Sequence, residues 1–319
     1  MSEPPDSPDS GTDNRSDRKT RVTVLVALAA NLVIAVAKAV GGVFAGSPAL
    51  LSEAAHSVAD SFNEVFLLFA LRRSKRPADP QHPFGYGKER FFWALLAAVG
   101  IFVMGGCFSV LQGIEALRGG GQESTTGYVV GLAVLGVALI AEGSSLARAV
   151  LQVRGQPGGG IGKDPALRTV IAEDGTAVVG VLLAMAGMGL HIVTGQVAWE
   201  ASASLAIGVL LGYVAYRLGK NARDQLIGEA AAPELRDSIE EMLAAQPEID
   251  QVSSLLTMRL GMDSTLVAAR IDLVPGLESE HVELISMRIR GSIEKTWPEA
   301  DQVYLDVTDA ATAAADDTP

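Results

Sequence analysis

Cysteine is nearly missing from this chain: Cys107 is the only one in 319 residues. That excludes an internal disulfide and any zinc cage built from several thiolates. Cys107 itself sits in an apolar stretch, where a small buried hydrophobe is the ordinary reading. Basic charge is outweighed, with 25 Lys and Arg against 37 Asp and Glu and a formal net charge of -12, which argues against nucleic acid as a partner because a phosphate backbone selects a basic surface. The metalloprotease-type motif HExxH is also lacking, so the usual general-base Glu of an intramembrane metallohydrolase is not provided. The segment before Val22 has no apolar core and is rich in Pro, Ser and Asp. It reads as a disordered tail, residues 1–20, rather than a signal peptide.

Long apolar runs are what the chain has in quantity. With 49% hydrophobic residues concentrated between about Val22 and Leu218, it offers runs near 22–46, 49–71, 91–117, 127–152, 168–193 and 198–218, each long enough for a bilayer that takes about 20 helical residues to cross. Breaks rich in Gly or Pro separate several of them. Six spans are therefore expected. Lys and Arg orient them: Arg15, Arg18, Lys19 and Arg21 precede the first run, Arg72, Arg73, Lys75, Arg76, Lys88 and Arg90 fill the second connection, Arg148, Arg154, Lys163 and Arg168 flank the fourth, and Arg217, Lys220 and Arg223 follow the sixth. The opposite three connections hold only Arg118. The bias puts both termini in the cytoplasm, and the plasma membrane is the plainest default host.

Polar residues inside the runs carry the functional signal. They are Asn31 and Lys38 in the first, Glu53, His56, Asp60, Asn63 and Glu64 in the second, Glu142 in the fourth, and Glu173 and Asp174 in the fifth. Titratable groups in hydrocarbon are costly enough to mark function by default. His56 and Asp60, four residues apart, share one helix face, and Asp174 lies at a depth that a facing helix matches. Imidazole and carboxylates suit zinc, and equally manganese, iron or cobalt. Glu173, another side chain or water would complete the set. Lys38 is expected to act as a counter-charge to Glu53 or Glu142. A metal site within a bundle of membrane helices points to a transporter.

Two stretches, GSPALLSEAAHSVADSFNEVFLLFALRRSKRPADPQHPFGYGKERFFWALL (46–96) and IAEDGTAVVGVLLA (171–184), resemble the cation diffusion facilitator family of metal/proton antiporters, and most of all the branch that contains the ninth mammalian zinc transporter. The resemblance covers essentially all of 20–310. It implies a homodimer, not an enzyme, that exports a divalent cation, usually zinc, in exchange for protons, with His56, Asp60 and Asp174 as transport-site ligands and no resident cofactor. Many members carry a histidine four residues before the fifth-span aspartate; Val170 stands there in this chain, and Glu173 becomes the substitute ligand. A second family site, in the connection between spans two and three, is matched by Asp79 and His82, whereas a further histidine position is Tyr86.

From about Asn221 the pattern becomes that of a small soluble domain. PELRDSIEEMLAAQP and SEHVELISMRIRGSIEK read as amphipathic helices, and VSSLLTMRL, STLVAARIDLV and QVYLDV as strands. The order αββαβ suggests a cytoplasmic α+β ferredoxin-like layer of helices on an antiparallel sheet, similar to the family's dimerising domain. The expected layout is therefore a six-helix transmembrane domain over 21–220, this domain over 221–310 and a disordered tail over 311–319. His281 is the domain's one histidine, which predicts dimerisation with little metal sensing. Because binding a cation requires these ligands to shed protons, metal and proton movements are coupled, and His56, with an ordinary pKa of about 6.5, carries the pH-sensitive share. A different divalent metal on the same scaffold, or a membrane metal sensor that does not transport, are the alternative readings.

Overall fold

A computed structural model describes residues 10–119, 125–154 and 165–308. Within these, the chain forms α1 (Ser10–Ala45), α2 (Pro48–Arg73), α3 (Glu89–Gly100), α4 (Phe108–Leu117), α5 (Thr125–Arg154), α6 (Pro165–Thr194), α7 (Ala198–Ile227), α8 (Pro233–Ala244), β1 (Ile249–Arg259), β2 (Thr265–Leu273), α9 (Ser279–Thr296) and β3 (Gln302–Val307). A π-helical stretch, Ile101–Cys107, joins α3 to α4. The expected tail over 1–20 is corrected in part: α1 starts at Ser10, because the prolines at 4, 5 and 8 all precede it and nothing later in the tail blocks helix extension. Residues 1–9 and 311–319 lie outside the described residues.

The chain divides into two compact units, one made of Met1–Phe69 with Trp93–Lys220, the other of Ala70–Phe92 with Asn221–Pro319. In the first unit, the α1–α2 corner shows how the sequence sets the geometry. Gly46 takes φ 66°, a left-handed conformation that ends a helix and that glycine adopts without steric cost. Ser47 then caps α2, its hydroxyl accepting the Leu50 N–H at 3.3 Å, and Pro48 fills the first helical position, where no N–H is required. Small residues bring the other helices close: Gly105 lies against Leu211 and Ala59, and Gly113 against Leu205 and the Ala201 carbonyl. Close approach of this kind substitutes for a hydrophobic drive between helices in lipid.

Leu50, Leu135, Val181, Ala184, Met188, Ile207 and Leu211 form the core of this unit. Its outer surface is equally apolar: Ile140 is 74% and Val193 83% exposed. A surface of that kind is at home in hydrocarbon rather than water. By length and composition, Leu28–Ala45, Glu89–Leu117, Gly127–Leu151, Ile171–Thr194 and Ala198–Ile227 are long and apolar enough to cross a membrane. The 26-residue α2 is not among these five. Glu53, His56, Asp60, Asn63 and Glu64 lower its hydropathy, and they are the residues of interest.

In the second unit, β1 and β2 form a hairpin with Ile249 opposite Leu273 and Arg259 opposite Thr265. β3 adds parallel to β2, pairing Leu266 with Gln302 and Ile271 with Val307. The sheet is thus mixed rather than antiparallel as expected. The reason is α9: a helix between two adjacent strands is a crossover, which returns the chain parallel. Burial alternates along β2, with Thr265, Val267, Ala269 and Ile271 inward. Ile239 and Leu243 of α8 and Ile285, Ile289 and Ile293 of α9, spaced by four, cover that face.

Candidate metal site

α2 builds one wall of the site from a single face. His56 Nε2 stands 3.5 Å from Asp60 Oδ2, and on the preceding turn Glu53 Oε1 stands 3.7 Å from His56 Nδ1. Glu53 is wholly buried and His56 nearly so, while the Asp60 side chain is about one-third exposed (35%). The helix periodicity of 3.6 residues explains why positions 53, 56 and 60 line up.

Lys38 of α1 neutralises part of this charge. Its ammonium, 1% exposed, donates to Glu53 Oε2 and to Glu142 Oε1 of α5, each at 2.9 Å. Both carboxylates named from the sequence as its partners are engaged at once. One cation between a buried anion and a half-buried one leaves a net negative triad beside the imidazole. Asn31 and Asn63, which sequence reasoning left without a role, serve the same purpose for neighbouring carboxylates. Asn31 donates to Glu64 at 2.9 Å, and Asn63 donates to Glu173 of α6 at 3.2 Å.

α6 supplies the facing wall. Gly180 lies directly against the Glu53 carboxylate and His56 Nδ1, so that a Cβ there would collide with Glu53 Oε1. Glu53 cannot swing away without leaving Lys38. Gly180→Ala is therefore expected to leave expression near normal and to weaken divalent-cation binding by at least about tenfold, an effect comparable with losing a group that orients a ligand; calorimetric titration with zinc checks it. Asp174 lies near enough to Asp60 for their charges to interact, and its Oδ2 is buried with no hydrogen-bond partner among the described residues. Glu53 Oε1 is in the same condition. Oxygens left in that state favour a cation.

The four residues expected to converge do so only partly. No group of three or more His, Cys, Asp and Glu side chains is drawn to metal-binding distance among the described residues. The physical reason is visible in the contacts. Like-charged carboxylates repel, and each takes the nearest donor instead: Glu53 takes Lys38, Glu64 takes Asn31 and Glu173 takes Asn63.

The connection between α2 and α3 is organised around Asp79. Its Oδ1 accepts the N–H groups of Gln81 and His82 at 3.0 and 2.8 Å, and its Oδ2 accepts the Tyr86 hydroxyl at 2.6 Å. The Tyr86 hydrogen bond, ahead of those backbone donors, holds Asp79 below the usual carboxylate range. His82 packs against Tyr86 with ring centroids 4.2 Å apart and planes tilted by 35°, and its Nδ1 is 3.5 Å from Asp79 Oδ1. Tyr86 thus occupies one Asp79 oxygen and the backbone N–H groups of Gln81 and His82 occupy the other.

A buried polar cluster that sequence reasoning missed lies at the end of the bundle that holds the α1–α2 and α6–α7 turns. Glu200 of α7, fully buried, accepts the Ser47 hydroxyl, and its Oε1 is 2.6 Å from His191 Nδ1 of α6; Tyr128 of α5 is 3.1 Å from the same nitrogen. The sequence signal was present but weak. Glu200 opens the last apolar run, and His191 closes the one before it, positions that read as interface rather than interior.

A family model described as the cation efflux transmembrane domain matches residues 24–227. The chain is 29% identical over 282 residues to the "Proton-coupled zinc antiporter SLC30A9, mitochondrial" of Xenopus laevis, covering 84% of this chain and 50% of that protein. It is 32% identical over 235 residues to "Metal tolerance protein C4" of Arabidopsis thaliana, covering 71% and 51%, and 25% identical over 296 residues to "Manganese efflux system protein MneP" of Bacillus subtilis, covering 90% and 95%. The chain thus spans about half the length of the first two of these relatives. With the matched domain running through every helix of the first unit, this chain belongs to the cation efflux family.

Proposed function

We propose that the chain moves a divalent cation, zinc first among candidates, out of the cytoplasm in exchange for protons, by alternating access around His56, Asp60 and Asp174 with Glu173 as a further ligand. One observation carries the reading: the buried imidazole of His56 lies beside Asp60 on α2, across from an α6 that bears a buried Asp174 oxygen with no described hydrogen-bond partner. A cation entering there replaces the asparagine and lysine contacts that hold the carboxylates apart. Protons and metal compete for the same lone pairs, so loading releases protons and protonation releases metal. The printed names of the relatives, one a proton-coupled zinc antiporter and one a manganese efflux protein, support both the exchange and the breadth of metals. Manganese, iron and cobalt are the alternative cargoes.

In this reading α2 crosses the membrane as a sixth span, its polar face turned inward, and the basic bias places both termini in the cytoplasm. The transmembrane domain then covers 21–220 and the cytoplasmic domain, ferredoxin-like in its α8-β1-β2-α9-β3 order, covers 221–310 and mediates a homodimer. The printed name of the Xenopus relative places that protein in mitochondria, so the plasma membrane expected by default draws no support from it. Asp79 and His82 act first as a loop scaffold; metal binds there only by displacing Tyr86 from Asp79.

The test is uptake into proteoliposomes with zinc, manganese, iron and cobalt at two pH values. Zinc uptake is expected to drive proton flux the other way, to weaken as pH falls on the loading side, and to drop at least about tenfold in His56→Ala, since loss even of an outer supporting group costs about 10–100-fold. Uptake with no proton flux removes the exchange; no uptake of any of the four removes the transport reading.

A further inference from the structure

His56 lies between two carboxylates of α2, one on each side of its ring. Nε2 is 3.5 Å from Asp60 Oδ2, and Nδ1 is 3.7 Å from Glu53 Oε1. Exposure rises along that row: Glu53 is fully buried, the His56 side chain 5% exposed and the Asp60 side chain 35%. A cation therefore reaches the ring from the Asp60 side, where Nε2 points. Glu53 lies behind the ring, and one of its oxygens is already committed, since the Lys38 ammonium donates to Oε2 at 2.9 Å. A second cation on the same carboxylate would meet that ammonium at close range, where like charges out of water repel strongly. What Oε1 can take instead is a neutral N–H. That oxygen is buried with no hydrogen-bond partner among the described residues, a state that leaves the cost of its desolvation unmet.

We propose that Glu53 is a positioning residue of the cation site: its Oε1 accepts the Nδ1–H of His56 and so fixes the imidazole as the tautomer whose Nε2 lone pair binds the cation beside Asp60. This rests on the transport-site reading and deepens it, by assigning which ring nitrogen is the ligand and which group turns it. A neutral imidazole carries one N–H and one lone pair, and a ligating histidine commonly donates its N–H to a carboxylate. At 3.7 Å the contact is longer than a formed hydrogen bond, and closing it takes a movement of about 1 Å. The neighbouring helices permit that approach while holding the carboxylate in place. Lys38 of α1, tied also to Glu142 of α5 at 2.9 Å, anchors Oε2. On α6, Gly180 presents no side chain where a Cβ would collide with Oε1 and stand 3.5 Å from Nδ1. Groups on α1, α5 and α6 thereby set the direction of one ring on α2.

The experiment is nuclear magnetic resonance of the full chain with isotopically labelled histidine nitrogen, and with spin-active cadmium as the probe that stands in for zinc. The His56 signals are those missing from His56→Asn. Nitrogen–hydrogen coupling shows which ring nitrogen carries the hydrogen, and nitrogen–cadmium coupling shows which one binds metal. In the unmodified chain the hydrogen is expected on Nδ1 and the cadmium on Nε2. In Glu53→Gln the amide has one accepting oxygen for two donors, Lys38 and His56. With that oxygen turned to the ammonium, the amide N–H groups face Nδ1 and leave the ring hydrogen on Nε2. The Nε2 coupling is then expected to vanish and cadmium affinity to fall by about 10–100-fold. A Glu53 that served folding alone would lower the melting temperature and leave the coupled nitrogen unchanged. Cadmium on Nδ1 in the unmodified chain, or Nε2 coupling and affinity both retained in Glu53→Gln, overturns the proposal. Should that variant fail to fold, the unmodified chain still decides, since a hydrogen on Nε2 before loading or cadmium on Nδ1 contradicts the assignment. Coupling to neither nitrogen of His56 would instead sink the cation site itself, and the proposal with it.

Discussion

Lys38→Met is expected to destabilise the helical unit by ~3–5 kcal/mol, the usual consequence of removing one partner from a buried ion pair. The ammonium lies 2.9 Å from both Glu53 and Glu142, and no water replaces it at 1% exposure. Without it two carboxylates face each other uncompensated, beside an imidazole. The stability comes from compensation and not from the attraction itself. Removing the charges together, in Lys38→Met with Glu53→Gln and Glu142→Gln, is therefore expected to recover most of the loss. Thermal unfolding in detergent of the single and triple variants measures this. A single variant within about 1 kcal/mol of the unmodified chain, the range of an exposed pair, contradicts the buried triad.

Asp60→Ala and Asp174→Ala are expected to abolish zinc-driven proton flux, each by about 100-fold or more, because in the proposed transport site each supplies an anionic ligand rather than an outer support. Stability should move the other way. Asp60 sits among Glu53, Glu173 and Asp174, whose charges act on it or one another, so deleting one carboxylate relieves repulsion. A protein that melts no lower than the unmodified chain but transports nothing is the expected outcome for Asp174→Ala. Flux retained in both variants would remove these residues from the transport site.

Much of this was legible in the residues. A helix face repeats every 3.6 residues whatever its surroundings, so the alignment of His56 and Asp60 followed from spacing, while the place of Glu53 on the preceding turn of the same face did not enter that reading. Lys38 could be assigned to Glu53 or Glu142 because a lone ammonium in an apolar run requires an anion. The order of helices and strands after residue 221 followed from the change of period along α8, β1, β2, α9 and β3. Three features were not legible. The parallel β2–β3 pairing depends on where α9 returns the chain, which composition does not encode. The asparagine contacts of Asn31 and Asn63 depend on which helices are neighbours. The His191–Glu200 pair joins the ends of two runs across a short turn, where polar residues are ordinarily left in water. The start of α1 at Ser10 was missed for a simpler reason, since a polar composition disfavours a packed core and says little about a helix that continues one already formed.

Whether α2 and α6 close on a divalent cation is decided by a structure of the zinc-loaded chain with anomalous scattering at the zinc edge. One ion is expected between the helices, bound at about 2.0–2.2 Å by a His56 nitrogen and by oxygens of Asp60 and Asp174, with Glu173 released from Asn63 or replaced by water. An ion held elsewhere with His56 and Asp174 on separate faces, or none at saturating zinc, would contradict it.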